Sequence, residues 1–285
     1  MRNQDESTSD HAASPADAQH RFDAGRRSER ADDLDAALIA YHEALALSPG
    51  NADWSYRLGC VYRKLGRYAD SAACFRQAVE QGGESGACLN NLGMVLDALG
   101  ERDEAMQMFH RAIAAADGNA EACHNLGALY AEEGRSRDAI RFFEAALDLR
   151  PDADGYHNLG LVHFQAADFD KALECFKKCE SMAPKHAVTK YFAAVALLRK
   201  GVYHEAVSRF STALALDSRL VRAHYYVGVA LHKMGRHEDA LAALLRAVEA
   251  FPDDGRLHYQ LALTYDALVM PKEAREHYRL ARREP

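Results

Sequence analysis

The chain has little of what marks membrane-spanning, secreted or disulfide-held proteins. Its 285 residues contain no apolar run close to the about 20 residues that a membrane helix needs. The amino terminus lacks the basic start and apolar stretch of a secretory signal. Six cysteines are spread along the chain without the spacing of a small disulfide scaffold. We therefore expect a cytoplasmic protein with free thiols and no membrane insertion.

Motifs for catalysis and cofactor binding are also missing. The sequence has no glycine-rich phosphate loop, no H-E-x-x-H and no G-x-S-x-G. Cys175 and Cys179 are four residues apart on a predicted helix, a spacing that could share a metal. Cys179, however, falls in a column of small packing residues described below. The sequence therefore predicts a protein that is not an enzyme and holds no metal or cofactor.

What the sequence does contain is internal repetition with a period of 34 residues. The segment "HNLG" at His124, for example, recurs at His157. Aligning by this period gives one column of glycine or alanine: Gly25, Gly59, Gly93, Gly127, Gly160, Ala194, Gly228 and Ala262. A second column is also small: Ala44, Ala78, Ala112, Ala146, Cys179, Ala213, Ala247 and Ala281. A third is large: Tyr41, Phe75, Phe109, Phe143, Phe176, Phe210, Leu244 and Tyr278. Small residues in register with large ones indicate backbones in close approach.

Each period encodes two helices joined by a short turn. Apolar residues recur at helical spacing up to a glycine, and a second periodic segment follows after a few polar residues. Four of the seven prolines fall at the end of the second segment, where proline stops a helix: Pro49, Pro151, Pro184 and Pro252. The sequence therefore predicts an all-α protein made of tandem helix pairs.

These columns resemble the tetratricopeptide repeat, whose unit of about 34 residues has Leu-Gly-Tyr, Ala, Phe, Ala and Pro landmarks. The resemblance implies a right-handed superhelical solenoid of antiparallel helix pairs. Eight copies are predicted, at 18–51, 52–85, 86–119, 120–152, 153–186, 187–220, 221–254 and 255–285. Residues 1–17 have no periodicity and are predicted to be a disordered tail. The polar helix that begins at Pro271 is expected to close the array.

In this family the first helix of each pair lines the concave face, and the fifth and sixth residues of a copy usually point inward. The sixth residue is asparagine in three successive copies: Asn91, Asn125 and Asn158. Carboxamides both donate and accept hydrogen bonds, so such a row suits the main chain of an extended peptide. It resembles the asparagine ladder of O-linked N-acetylglucosamine transferases. The alternative is that each asparagine is an ordinary polar surface residue. His124 and His157, at the fifth position, are predicted to contact the same ligand or to titrate together.

The equivalent surface in the carboxyl-terminal half is apolar and aromatic. Its predicted ligand contacts are Leu161, Phe164, Tyr191, Val195, Tyr225, Val229 and Tyr259. Phe192 and Tyr226 lie beside them and could instead fill the core between helices. Arg199, Arg222 and Arg256 border the region, which suggests an acidic ligand. The Lys and Asn pair with which some co-chaperones of this family clamp a terminal carboxylate is missing.

The resemblance and these residues predict an adaptor or chaperone-like module that binds an extended or partly helical segment of another protein. Two alternatives stay open. The chain could associate with itself as a scaffold, and its oligomeric state is left undecided between monomer and self-association. Nucleic-acid binding would need a strongly basic face. With a formal net charge of −7, and with Asp53, Asp97, Glu121 and Asp154 predicted to point inward, we expect no nucleic-acid partner.

Overall fold

A computed structural model describes residues 15–115 and 119–282 of the chain. Within those ranges the chain forms sixteen helices and no strand. The first seven are α1 (Pro15–Arg30), α2 (Leu34–Leu47), α3 (Ala52–Lys64), α4 (Tyr68–Glu80), α5 (Gly86–Ala98), α6 (Arg102–Ala114) and α7 (Ala120–Glu132). The next nine are α8 (Ser136–Leu149), α9 (Ala153–Gln165), α10 (Phe169–Met182), α11 (Ala187–Arg199), α12 (Tyr203–Leu216), α13 (Arg222–Lys233), α14 (His237–Ala250), α15 (Gly255–Ala267) and α16 (Pro271–Ala281). The predicted all-α class is confirmed.

The helices belong to two compact units, the first ending at Glu133 and the second beginning at Gly134. In unit 1, α1 packs on α2, α3 on α4 and α5 on α6, and α7 follows. In unit 2, α8 is followed by the pairs α9–α10, α11–α12, α13–α14 and α15–α16. Within each unit the first helices of successive pairs also touch, α3 with α5 and α5 with α7, and α9, α11, α13 and α15 in turn. Each unit is therefore a stack of helix pairs.

The sequence marks both ends of the first helices. Polar side chains cap their amino termini: the Ser85 hydroxyl accepts from Cys88 N at 3.1 Å, and Asp152 Oδ1 accepts from Gly155 N at 2.6 Å. Such caps satisfy N–H groups that have no partner inside the helix. Gly66 follows the end of α3 with a φ of +71°, a left-handed conformation that glycine adopts without strain.

The interior of each pair consists of the large column seated on the small ones. Seven members of the large column are buried: Tyr41, Phe75, Phe109, Phe143, Phe176, Phe210 and Leu244. The match is close, because a Cβ added at Gly160 would lie 2.5 Å from the Phe176 ring. Replacing such a buried ring by alanine typically costs about 3–5 kcal/mol. The predicted columns are therefore the core.

The predicted boundary of the amino-terminal tail is wrong by three residues. The tail was expected to end at residue 17, but α1 begins at Pro15. Proline is tolerated at a first helical position, and Asp17 in the first turn suits the positive end of the helix dipole. The Phe22 ring stacks on Trp54 at 5.0 Å and tilts against Tyr41 at 5.3 Å, which anchors the helix. The rest of the predicted tail, 1–14, lies outside the described residues.

Candidate functional site

In each unit, two pairs of neighbouring first helices share one recurring contact, which we call the inter-repeat contact: the sixth residue of a repeat meets the fifth residue of the repeat before it. In unit 1 this contact is a hydrogen bond. Asn91 Nδ2 donates to the Tyr56 hydroxyl at 3.0 Å, and Asn125 Nδ2 donates to Asn90 Oδ1 at 3.0 Å. Asn90 is only 2% exposed, so its carbonyl needs this donor. One amide hydrogen of each of the two asparagines is therefore used inside the protein.

The two half-buried asparagines of unit 1 keep other groups for a ligand. Neither the Asn91 carbonyl oxygen nor that of Asn125 accepts a hydrogen bond from a described residue, and each amide has a second N–H. His124 on α7 and Asn158 on α9 are also half-buried. Asn158 lies in unit 2 and the other two asparagines in unit 1. A ladder of three therefore stays a prediction.

His157 on α9 is packed against polar partners instead of facing an open groove. Its Nδ1 lies 2.8 Å from the Thr189 hydroxyl, which also contacts His186 Nδ1 at 2.6 Å and Cys179 Sγ at 3.3 Å. Burial, reinforced by His186 and opposed by Asp154, lowers the pKa of His157 to about 4. With its pKa lowered in this way, the His157 imidazole stays uncharged near neutral pH, which favours the predicted ligand contact over the predicted joint titration.

In unit 2 the inter-repeat contact is made by aromatic rings. The Phe192 ring tilts against His157 at 6.2 Å, and Tyr226 meets Tyr191 edge-to-face at 6.0 Å. Tyr226 also stacks on the buried Phe210 at 5.8 Å. Phe192 and Tyr226 are both half-buried and pack between neighbouring helices. This agrees with the alternative prediction that they fill the core between helices.

The fifth positions of the last three repeats carry tyrosines, which we call the tyrosine row: Tyr191, Tyr225 and Tyr259. Exposure increases along it, because Tyr191 and Tyr225 are half-buried whereas Tyr259 is 52% exposed. The Tyr259 ring contacts Tyr278 at 6.0 Å, and the Tyr278 hydroxyl donates to Asp266 at 2.7 Å. The row ends in an aromatic surface that solvent reaches.

The predicted apolar contacts differ in accessibility. Leu161, Phe164 and Val229 are half-buried. Val195 is only 4% exposed and belongs to the core, so its prediction as a ligand contact is corrected. The reason is the bulk around it, since Phe164 and Tyr191 pack against the same core cluster.

The three arginines also differ. Arg222 is exposed but paired, with an ion pair to Asp254 at 3.2 Å and its guanidinium 4.8 Å from the centre of the Phe251 ring. Arg199 and Arg256 are exposed and form no ion pair with any described residue. Burial, Tyr226 and Asp254 raise the pKa of Tyr225, while Arg256 and Arg199 oppose them. The two unpaired arginines are therefore within electrostatic reach of the middle of the tyrosine row.

An open cavity of about 1210 Å³ lies at the end of this row. Tyr225, Arg256, Tyr259, Gln260 and Tyr278 are among its lining residues, together with Asp253, Asp254 and Arg282. Gln260 and Tyr278 were not predicted as site residues. Gln260 could have been found, because it occupies the sixth position that drew attention to the asparagines. The cavity combines aromatic rings with both signs of charge, as protein-binding surfaces often do.

The described ranges contain neither a metal-binding cluster nor a membrane-spanning helix. These residues contain no cluster of three or more His, Cys, Asp or Glu side chains that could hold a metal ion. Cys175 and Cys179 are buried free thiols, and burial raises the pKa of Cys175 to about 11. Among the helices described, none is both long and apolar enough to cross a bilayer.

Curated relatives match only part of the chain. The peroxisomal targeting signal receptor of Candida albicans is 31% identical over 104 residues, which is 36% of this chain and 18% of the relative. That of Eremothecium gossypii is 26% identical over 104 residues and covers the same shares. The match spans less than a fifth of these relatives' length.

Solved structures share the fold at low identity. The C-terminal part of a TPR repeat-containing protein from Cytophaga hutchinsonii superposes with a TM-score of 0.70 at 16% identity, over 84% of this chain and 99% of its own. YrrB, described as a TPR protein with an unusual peptide-binding site, superposes with a TM-score of 0.60 at 23% identity, over 70% of this chain and 99% of its own. MamA from Desulfovibrio magneticus RS-1 superposes with a TM-score of 0.55 at 22% identity, over 58% of this chain and 95% of its own.

Family models cover most of the chain. A tetratricopeptide repeat model matches residues 56–120, 191–255 and 231–285, which is more than half of the chain, and a second tetratricopeptide repeat model matches 122–185. These ranges contain both the inter-repeat contacts and the tyrosine row. The tandem helix pairs and these matches together show that the chain belongs to the tetratricopeptide repeat family.

Proposed function

We propose that unit 2 binds an extended or partly helical segment of another protein along its first helices, and that the chain acts as an adaptor or chaperone-like module. Tetratricopeptide repeats mediate protein–protein interaction, and YrrB is described as having a peptide-binding site. The partly matching curated relatives are receptors for a targeting signal. These likenesses support peptide capture without naming the peptide.

The observation that carries the proposal is the end of the tyrosine row. Tyr259 is 52% exposed beside a cavity of about 1210 Å³, and the charges of Arg199 and Arg256 act on Tyr225, where they oppose the rise in its pKa. A tyrosine offers a large rigid apolar ring with a hydroxyl, and it loses little rotamer freedom on binding. Arg199 and Arg256 would steer an acidic segment towards these rings. The expected cytoplasmic location stays a prediction.

The experiment that tests this proposal is selection from a phage-displayed library of random peptides on the full chain, followed by calorimetry with a selected peptide. We expect the Tyr225→Ala/Tyr259→Ala double variant to bind that peptide at least about tenfold more weakly, because two ring contacts are lost. Tyr68→Ala is the matched control, since Tyr68 is 40% exposed on α4 of unit 1. A library that yields no peptide, or a double variant that binds as the unchanged chain does, would contradict the proposal.

A further inference from the structure

A small open cavity of about 330 Å³ lies between α1 and α3 in unit 1. Five charged side chains line it: Arg26, Glu29 and Arg30 from α1, and Arg57 and Lys64 from α3. We call it the basic cavity, because four of these five side chains are cations. It shares no lining residue with the cavity at the tyrosine row, which lies in unit 2.

The carboxylate among these lining residues already has partners inside the protein. Glu29 Oε1 accepts a hydrogen bond from Lys64 Nζ at 2.8 Å, and Glu29 Oε2 accepts one from the Tyr41 hydroxyl at 3.0 Å. Burial would raise the pKa of Glu29, but these two partners and the charge of Arg57 outweigh burial and lower the pKa. Glu29 is therefore ionised near pH 7 and neutralises Lys64, which leaves the charges of the three arginines.

The three arginines have little or no compensating charge. Arg26 Nη1 lies 3.8 Å from Asp23 Oδ1, a long and solvent-exposed pair that attracts only weakly. Arg30 is exposed and Arg57 is half-buried, and neither forms an ion pair with any described residue. The Arg57 Nε is buried without a hydrogen-bond partner among the described residues. Two guanidinium groups therefore line the cavity without an ion-pair partner in the described part of the chain.

The position of Arg57 in its repeat explains why it lacks a partner. It is the sixth residue of the second repeat, the position from which Asn91 and Asn125 donate hydrogen bonds to the fifth residue of the repeat before. The fifth residue of the first repeat is Phe22, whose ring has no acceptor oxygen and stacks on Trp54 at 5.0 Å. The hydrogen-bond donors of Arg57 therefore stay available to a ligand.

We propose that the basic cavity binds the phosphate group of a phosphorylated serine or threonine in a partner protein. Such a group carries a charge of about −1.5 to −2 at pH 7 and three acceptor oxygens. It matches two unpaired guanidinium groups better than the single charge of a carboxylate does. The planar fork of each arginine can donate two parallel hydrogen bonds to phosphate oxygens. This site in unit 1 is independent of the tyrosine row.

Two observations favour a phosphate carried on a protein segment over a free phosphate ion. The cavity is open and Arg30 is exposed, so the phosphate group can enter while the segment that carries it stays outside. Asn91 on the next first helix is hydrogen-bonded to Tyr56, the residue beside Arg57, and its carbonyl oxygen and second N–H are unused. A main chain attached to the phosphate therefore has polar partners available on the neighbouring helix.

The direct probe is acetyl-alanyl-phosphoseryl-alanyl-amide, titrated into the full chain with isotope-labelled arginine and followed by NMR. We expect a saturable shift of the Arg57 Nε–H signal, which is observable because burial of this Nε slows exchange of its proton with water. The seryl peptide lacks the phosphate and should cause no shift. The glutamyl peptide and inorganic phosphate should each bind at least about fivefold more weakly.

Three outcomes would contradict this interpretation. An unmoved Arg57 signal, or equal binding of the phosphorylated and glutamyl peptides, would overturn the proposal of a phosphate site. Equal binding of inorganic phosphate and the phosphorylated peptide would overturn the assignment to a protein segment.

Two variants test the unpaired arginines, with affinity measured by fluorescence anisotropy of a dye-labelled copy of the phosphorylated peptide. Arg57→Gln removes the half-buried guanidinium and should weaken binding at least about tenfold. Arg30→Gln removes the exposed guanidinium, whose charge is partly screened by salt, and should weaken binding at least about threefold. Arg27→Gln is the matched control, since Arg27 is also exposed on α1 and does not line the cavity. It should change the affinity by less than about twofold.

These experiments also separate the basic cavity from the proposed function. A Tyr225→Ala/Tyr259→Ala variant should bind the phosphorylated peptide as the unchanged chain does, because neither tyrosine lines the basic cavity. If Arg57→Gln does not fold, the comparison of Arg30→Gln with Arg27→Gln decides alone. Equal affinities of these two variants for the phosphorylated peptide would overturn the proposal.

Discussion

The two units join their repeats at the same place with different chemistry. In unit 1 the inter-repeat contact is a hydrogen bond donated by an asparagine side chain, as in Asn125 to Asn90 at 3.0 Å. In unit 2 it is a contact between rings, as in Tyr226 against Tyr191 at 6.0 Å. A hydrogen bond constrains the orientation of two polar groups and buries little surface. An aromatic ring buries a large apolar surface and can leave one edge exposed. The unit joined by rings is therefore the one that presents an aromatic surface to solvent.

The difference changes how a row of asparagines is interpreted. Because Asn91 and Asn125 each donate one amide hydrogen inside unit 1, part of their role is to join helices. At the end of the tyrosine row, Tyr259 is 52% exposed, so a large part of its side chain is accessible to a ligand. This is why the ligand contacts of the proposed function lie in unit 2.

Removing a ring contact in unit 2 should have the largest effect on stability. Tyr226→Ala removes the stack on Phe210 and the edge-to-face contact with Tyr191, and we expect a loss of about 3 kcal/mol. Residue-resolved hydrogen exchange checks this, since repeat arrays can unfold locally. Protection should fall in α11 and α13. Tyr68→Ala, at an exposed position, should change protection by less than about 0.5 kcal/mol.

Removing an amide contact in unit 1 should cost less. Asn125→Ala leaves the Asn90 carbonyl without its donor at 2% exposure, and we expect about 1–2 kcal/mol of lost protection in α5 and α7. Asn91→Ala should cost less again, because Tyr56 is half-buried and its hydroxyl can turn to water. Equal losses for Asn125→Ala and Tyr226→Ala would show that the two kinds of contact are energetically alike.

Acid should weaken unit 2 in a definite pH window. Burial lowers the pKa of His157 to about 4 from 6.5, and it also lowers the pKa of other histidines of unit 2: His163, His224, His232 and His277. A folded pKa below the unfolded one means that the unfolded chain binds the proton more tightly. The stability from His157 is therefore complete above about pH 6.5 and is lost as the pH falls towards about 4.

The inter-repeat contacts of unit 1 have no titrating group in that window. They involve amides and Tyr56, whose pKa burial, with smaller contributions from Cys60 and Cys88, raises to about 12. Urea unfolding followed by residue-resolved NMR at about pH 7 and about pH 5 should show unit 2 weakening, and His157→Gln should reduce that weakening. A pH dependence in unit 2 that is unchanged by His157→Gln would assign the effect to other groups.

The sequence predicts well the contacts that form between the two helices of one pair. The columns of Gly93 and Phe109 are 16 residues apart in every copy but belong to one pair, and their sizes match because the two helices touch there. The recurrence of both columns in every copy, together with helical spacing within each helix, predicts such contacts. The all-α class and the core follow from this pattern.

Contacts between repeats are harder to predict. Asn91 finds its acceptor on Tyr56, 35 residues earlier, and this depends on the relative shift of two first helices, which no single repeat encodes. Val195 was misplaced because its helical position is right for the surface, but neighbouring rings cover it.

The most direct test of this account compares two double variants with the same library-selected peptide in calorimetry. We predict that Tyr225→Ala/Tyr259→Ala binds at least about tenfold more weakly, whereas Asn91→Ala/Asn125→Ala, with intact helical spectra, changes the affinity by less than about threefold. The reverse order, with the asparagine variant losing binding and the tyrosine variant keeping it, would contradict the assignment of the binding surface to unit 2.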